Sequence, residues 1–138
     1  TRSEVRGPMP VVVDAGCFVE VALATPRGLR VADALSDAAL FVPELFDVEV
    51  GSVLARLERA REITRDSADL AHNRLAAFPA QRISHEMLRD RAWNLRASLR
   101  IADAYYVSCC VAVSGSLITT DGRLARAPLP PIGVHLIR

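Results

Sequence analysis

This sequence predicts an α/β domain with a mainly parallel central sheet flanked by helices, and three observations lead there. Short apolar runs of strand length at residues 11–13, 39–42 and 116–119 alternate with longer segments of helical periodicity along the chain. An apolar content of 51% in 138 residues, with 24% charged, is enough for one domain with a sizeable core and excludes a disordered chain. Two of the apolar runs end on carboxylates, Asp14 after the first and Asp121 just beyond residues 116–119. Sites in parallel sheets gather beyond the carboxyl ends of the strands, so both acids belong on one rim.

The elements follow in order. Residues 11–13 form a buried strand, and 15–24 a helix that opens directly after Asp14. Pro26 and Gly28 punctuate the chain, Leu29, Ala32 and Leu35 recur at helical spacing over 29–35, and 39–42 is a second buried strand. Pro43 suits the first turn of a helix, where its missing N–H is no loss. Over 44–61, Leu45, Val48, Val53, Leu54 and Leu57 recur on one side of a long amphipathic helix. A helix over 66–78 stops at Pro79, 81–84 is a third strand, 85–97 a helix and 101–113 a strongly apolar helix. Residues 116–119 form a strand, 122–127 one helical turn and 134–137 a last strand. There are no internal repeats, low-complexity tracts or linkers.

Composition excludes several functions. All 17 basic residues are arginine, so no Schiff-base lysine, P-loop lysine or receiver-type phosphoacceptor site can be built. A net charge of +1 argues against coating nucleic acid by bulk field, although a local arginine patch remains open. Cys17, Cys109 and Cys110 have neither the even count of a disulfide framework nor zinc-ligand spacing, and read as small buried thiols. Gly115-Ser116 is not a nucleophile elbow. The nearly uncharged run 104–120 is interrupted and falls short of the roughly 20 residues a membrane span needs. The first residues lack the apolar core of a secretory signal, which points to the cytoplasm.

Four carboxylates are poorly explained as surface charge: Asp14 at a strand tip, Glu49 between Val48 and Val50, Asp103 within an apolar helix, and Asp121 after Thr119-Thr120. Each admits a bland reading: Asp14 or Asp103 as a helix cap, Glu49 as an ion-pair partner, Asp121 as a turn residue in Thr-Asp-Gly. Converging like charges destabilise one another unless a cation compensates, and an all-oxygen set without cysteine or histidine selects Mg²⁺ or Mn²⁺ over zinc. Carboxylates around such ions are the apparatus of phosphodiester hydrolysis. Asp47 is the nearest rival to Glu49, but two helical residues away it points roughly 200° off.

The order and spacing of these acids strengthen the set. With VVVDAG at 11–16, FVPELFDVEVGSVLARL at 41–57, LRIADAYYVSCCVA at 99–112 and LITTDGRLARA at 117–127, the chain resembles the PIN-domain nucleases, and among them the VapC toxins of bacterial toxin–antitoxin pairs. The resemblance implies a PIN-like fold in a single domain over 1–138, whose first ten residues are expected to be a flexible extension. It implies that Asp14, Glu49, Asp103 and Asp121 match the family's four acidic positions, catalytic residues that hold Mg²⁺ or Mn²⁺ and cut RNA. It further implies a homodimer and a VapB-type antitoxin, assembled as a heterotetramer or larger. Gly16 departs from the Ser or Thr usual there, and Thr119 or Thr120 is the candidate source of the missing hydroxyl. The alternative is a PIN domain with weak or no catalysis that holds RNA or a protein partner, a reading the intact acidic quartet disfavours.

The arginines supply candidate substrate contacts. A helix continued through 89–100 would put Arg89, Trp93, Arg96 and Arg100 on one face, an arrangement suited to stacked bases and phosphates, with Trp93 in the core as the bland alternative. Arg123 and Arg126 flank the fourth acid and would meet a phosphate. Arg56, Arg59, Arg61 and Arg65 form a second candidate rim, weighed against a solvated helix face. His72, His85 and His135 have no ligand spacing. The high apolar content also favours a dimer, with residues 29–35 and 45–57 as the expected surfaces.

Overall fold

The computed structural model describes residues 7–138. Five strands, β1 (Pro10–Val13), β2 (Ala39–Pro43), β3 (Ala80–Ile83), β4 (Ser116–Thr119) and β5 (Val134–Leu136), form one sheet in the order β3-β2-β1-β4-β5. Every neighbouring pair is parallel. Val12, Val13, Val42 and Leu117 are fully buried, as the continuous apolar runs of a sheet covered on both faces require. Pro10, placed in the N-terminal extension by the sequence reading, is the first residue of β1 and pairs with Ala39. Residues 1–6 of that extension lie outside the described residues.

The helices are α1 (Ala15–Ala22), α2 (Pro26–Leu35), α3 (Leu45–Arg59), α4 (Arg65–Asn73), α5 (His85–Asn94), α6 (Ile101–Val113) and the single turn α7 (Gly122–Ala125). From β1 the chain steps outward to β2 and β3, then returns to place β4 on the other side of β1. Right-handed crossovers running in opposite directions put their helices on opposite faces. Accordingly α1 to α4 pack together, while α5 and α6 pack as a pair with α6 against β1, β2 and β4. Among the described residues no helix is long and apolar enough to cross a membrane.

Several helix faces differ from those read off the sequence, each for a local reason. Helix α1 ends at Ala22 because Ala24 takes a left-handed backbone at φ 55°. Helix α2 begins at Pro26, whose fixed φ suits a first turn, and the Thr25 hydroxyl accepts from the Gly28 N–H at 2.9 Å. Its buried face is Gly28, Val31 and Leu35; Leu29 and Ala32 point outward. Gly28 is required by close approach, since a Cβ there would lie 2.0 Å from the Glu20 carbonyl oxygen on α1. In α3 the buried face is Phe46, Val50 and Leu54, and Val48 is 70% exposed. Phe46 sets that rotation by packing against Phe18 and Phe78, with ring centroids 5.7 and 5.8 Å away.

Pro43 closes β2, opposite Ile83 of β3, rather than opening a helix. The next amide, Glu44 N–H, donates to the Ile83 carbonyl, so the missing N–H of Pro43 faces the β1 side, beyond the last paired residue Val12. The N-terminus of α3 is then tied to α5: Leu45 N–H donates to His85 Nε2 at 2.8 Å, and His85 N–H to Glu44 Oε1 at 2.9 Å. His85 is therefore structural. The expected helix over 66–78 is α4 followed by a 3₁₀ turn at Arg74–Ala77. Helix α5 stops at Asn94, six residues before Arg100, which breaks the proposed face from Arg89 to Arg100. Ser108 in α6 donates to the Leu88 carbonyl at 2.9 Å inside the core, fixing α6 against α5.

Candidate metal centre at the carboxyl edge of the sheet

The topological switch lies between β1 and β4, and the acidic cleft opens beyond their carboxyl ends. Asp14 follows β1 directly, and its N–H donates to the Ile118 carbonyl of β4 at 3.1 Å. It stands at the N-cap position of α1, yet its side chain makes no capping hydrogen bond. Its carboxylate instead accepts from the fully buried Thr119 hydroxyl at 2.7 Å. That hydroxyl also accepts from Asp121 N–H at 2.9 Å, so one side chain sets the spacing of two acids. Asp121 caps α7, accepting from the N–H groups of Arg123 and Leu124 at 2.9 and 3.3 Å.

Glu49 reaches the cleft from α3 and Asp103 from the first turn of α6. Together with Asp14 and Asp121 they line a cavity of about 410 Å³ that Arg56, Arg100, Thr120 and Gly16 also border. The sequence therefore predicted four acids that the fold gathers from four separate elements. Asp47 turns away and binds Arg82 Nη2 at 2.6 Å, which leaves Glu49 as the α3 carboxylate in the cleft.

Proximity without a counter-ion is costly here. Burial raises the Asp14 carboxyl above the usual aspartate range; the Thr119 hydrogen bond pulls it back, and the charges of Asp103 and Asp121 push it up again. Burial likewise raises Glu49, opposed by the Tyr106 hydroxyl and reinforced by Asp14 and Asp103. A carboxyl raised on folding destabilises the fold when it is ionised. That cost is fully present above the raised value and fades as pH falls through it toward the ordinary carboxyl range near about 4.

Among the described residues no three carboxylate, imidazole or thiolate groups are drawn together tightly enough to chelate one ion as they lie. The donor set nonetheless fits a hard divalent cation: four carboxylates edge one cleft, and no histidine or cysteine lines it. Two of the four carboxylates are instead paired with arginines of the chain itself. Arg123 Nη2 donates to Asp103 Oδ2 and Asp121 Oδ2 at 3.0 Å each, and Arg100 Nε lies 3.4 Å from Asp103 Oδ2.

The other expected site residues divide. Thr119 is wholly buried and committed to Asp14 and Asp121, so it positions the acids and is closed to substrate. Thr120 borders the cleft, and a Cβ on Gly16 would lie 3.3 Å from its hydroxyl oxygen. The hydroxyl bonded to Asp14 is that of Thr119, and the one facing the cleft beside Gly16 is that of Thr120. Arg96 does not reach the site: its guanidinium stacks 4.3 Å from the centroid of the Trp93 ring, which is 58% exposed rather than core. Arg126 folds back over Gly122. Of the second rim, Arg56 lines the cleft and Arg59, Arg61 and Arg65 do not. Sequence reasoning missed Tyr106, whose buried hydroxyl has no hydrogen-bond partner at bonding distance and lies beside Glu49. Its spacing of three residues from Asp103, on the same face of α6, was the available signal.

A larger groove of about 720 Å³ lies between α2 and β5, bordered by Leu29, Arg30 and His135, and contains none of the four acids.

The PIN-domain family model matches residues 11–129. Ribonuclease VapC3 of Mycobacterium tuberculosis is 39% identical over 121 residues, covering 87% of this chain and 88% of the relative. Ribonuclease VapC1 of the same organism is 34% identical over 129 residues, 92% of this chain and 97% of the relative. Among solved structures, VapBC2 from Rickettsia felis, bound to a DNA fragment from its promoter, superposes with a TM-score of 0.65 at 10% identity, over 94% of this chain and 100% of that one. At that identity the likeness speaks to the fold.

Proposed function

As this chain belongs to the PIN-domain family, we propose that it is a divalent-metal-dependent endoribonuclease, the VapC-type toxin of a toxin–antitoxin pair. The observation that carries this reading is the convergence of Asp14, Glu49, Asp103 and Asp121 on one cleft at the switch point of the sheet. These four carboxylates would hold Mg²⁺ or Mn²⁺, which would lower the pKa of the attacking water and offset the charge on the departing oxygen. Thr119 keeps Asp14 and Asp121 in register. Tyr106, whose buried hydroxyl lies beside Glu49 without a partner of its own, is the donor available to that carboxylate from inside the core. Arg56 and Arg100 on the rim offer positive charge to the phosphates of single-stranded RNA, and the Thr120 hydroxyl faces the same space.

The partner in this reading is a VapB-type antitoxin, in keeping with the VapBC composition of the Rickettsia felis complex. The proposed working unit is a homodimer, with a heterotetramer or larger assembly on antitoxin binding, in the cytoplasm. The exposed apolar residues Leu29 and Val48 are the surfaces offered for such contacts.

Incubating the purified protein with a mixed RNA pool tests the reading. Cleavage is expected with Mn²⁺ and none with a chelator in excess. RNA retained but uncut under both conditions would replace the nuclease with a binding module.

A further inference from the structure

Arg123 bridges two of the four acids at the edge of the cleft. It sits in the turn α7, two residues beyond Asp121, and its Nη2 donates at 3.0 Å to one oxygen of Asp103 and one of Asp121. Those carboxylates come from different elements, 18 residues apart by number (121 − 103), and the guanidinium is what spans them. Asp103 is only 14% exposed at its side chain, whereas Arg123 is 51% exposed. The acid is therefore largely enclosed, and the arginine reaches it from the solvent side. Arg126, one turn along, makes no such bridge: it lies over Gly122.

We propose that Arg123 is a built-in competitor for the divalent cation, occupying the position between Asp103 and Asp121 and leaving it when the ion binds. This rests on the metal-site reading above and adds a regulatory role that the four acids do not imply. With Arg123 seated, the metal-free cleft is partly neutralised and two of its carboxylates are engaged by the guanidinium. Ion binding must break two charge-assisted hydrogen bonds, so the apparent metal affinity is reduced to the intrinsic one multiplied by the fraction of molecules in which the arginine is unseated. The competition sets the cation concentration at which the site fills.

The test is a Mn²⁺ titration of the full chain, followed by the electron paramagnetic resonance signal of the free ion, for the parent, Arg123→Gln and Arg126→Gln. Far-UV circular dichroism confirms folding of each. Arg123→Gln is expected to bind Mn²⁺ at least about fivefold more tightly than the parent, and Arg126→Gln, which removes the same charge without the bridge, within about twofold of it. Unchanged or weaker binding by Arg123→Gln, or equal tightening by Arg126→Gln, overturns the competitor role while leaving the metal site intact. Absence of Mn²⁺ binding by every protein overturns both.

Discussion

Asp103→Asn should lower RNA cleavage by about a hundredfold or more and relieve any growth inhibition caused by the protein, with the fold unchanged. The side chain is 14% exposed, faces Glu49 and Asp14 across the cleft and accepts from Arg100 and Arg123. An amide keeps its volume and loses the charge that would hold the cation. A bound metal supplies several kcal/mol of transition-state stabilisation, and each ~1.4 kcal/mol is a factor of ten in rate. The lost ion pairs involve exposed arginines and are worth little, about 0 to 1 kcal/mol, so the melting temperature should barely move. Undiminished cleavage by the well-folded variant would remove Asp103 from the site.

The largest effect on stability is expected at Phe46. Its ring is fully buried and joins Phe18 and Phe78 in a three-ring cluster with centroids 4.8 to 5.8 Å apart. That cluster bridges α1, α3 and the chain after the 3₁₀ turn, and so sets the rotation of the helix that presents Glu49 three residues later. Phe46→Ala should cost about 3 to 5 kcal/mol through lost burial and the cavity it leaves. In a domain whose total stability is of order 5 to 15 kcal/mol, that lowers the melting temperature by roughly 10 °C or more. Val48→Ala, two residues away and 70% exposed, should stay within about 0.5 kcal/mol of the parent. Equal losses at the two positions would mean that α3 buries the face the sequence suggested.

Those two positions show where the sequence was readable. The strand tips were legible because a carboxylate directly after an apolar run has few places to go in a parallel sheet, and Asp14 and Asp121 stand on the expected rim. Helix faces were less so. Counting forward from Leu45 included Val48 in the apolar stripe, but the packing of Phe46 with two other phenylalanines decided the rotation, and that is a tertiary contact. The arginine stripe from 89 to 100 required a helix that ends at Asn94, where no glycine or proline announces the stop. Arg123 appeared in the sequence as a phosphate contact because it flanks Asp121. Its bridge to Asp103 exists only once α6 and α7 meet, a convergence that no local pattern encodes.

The central claim, that the four carboxylates form a divalent-cation site, is tested most directly by thermal melting of the antitoxin-free protein and of Asp14→Asn, each with Mn²⁺ and with chelator. A ligand that binds only the folded chain stabilises it by about 2.7 kcal/mol at a hundredfold excess over Kd, a rise of roughly 5 °C or more for a domain of this size. The parent should show that rise. Asp14→Asn should melt at or above the parent in chelator, because it removes a buried charge repelled by Asp103 and Asp121, and should gain little from Mn²⁺. A parent indifferent to Mn²⁺, together with an Asp14→Asn variant that melts lower whatever the ion, would contradict the account and leave Asp14 a structural residue.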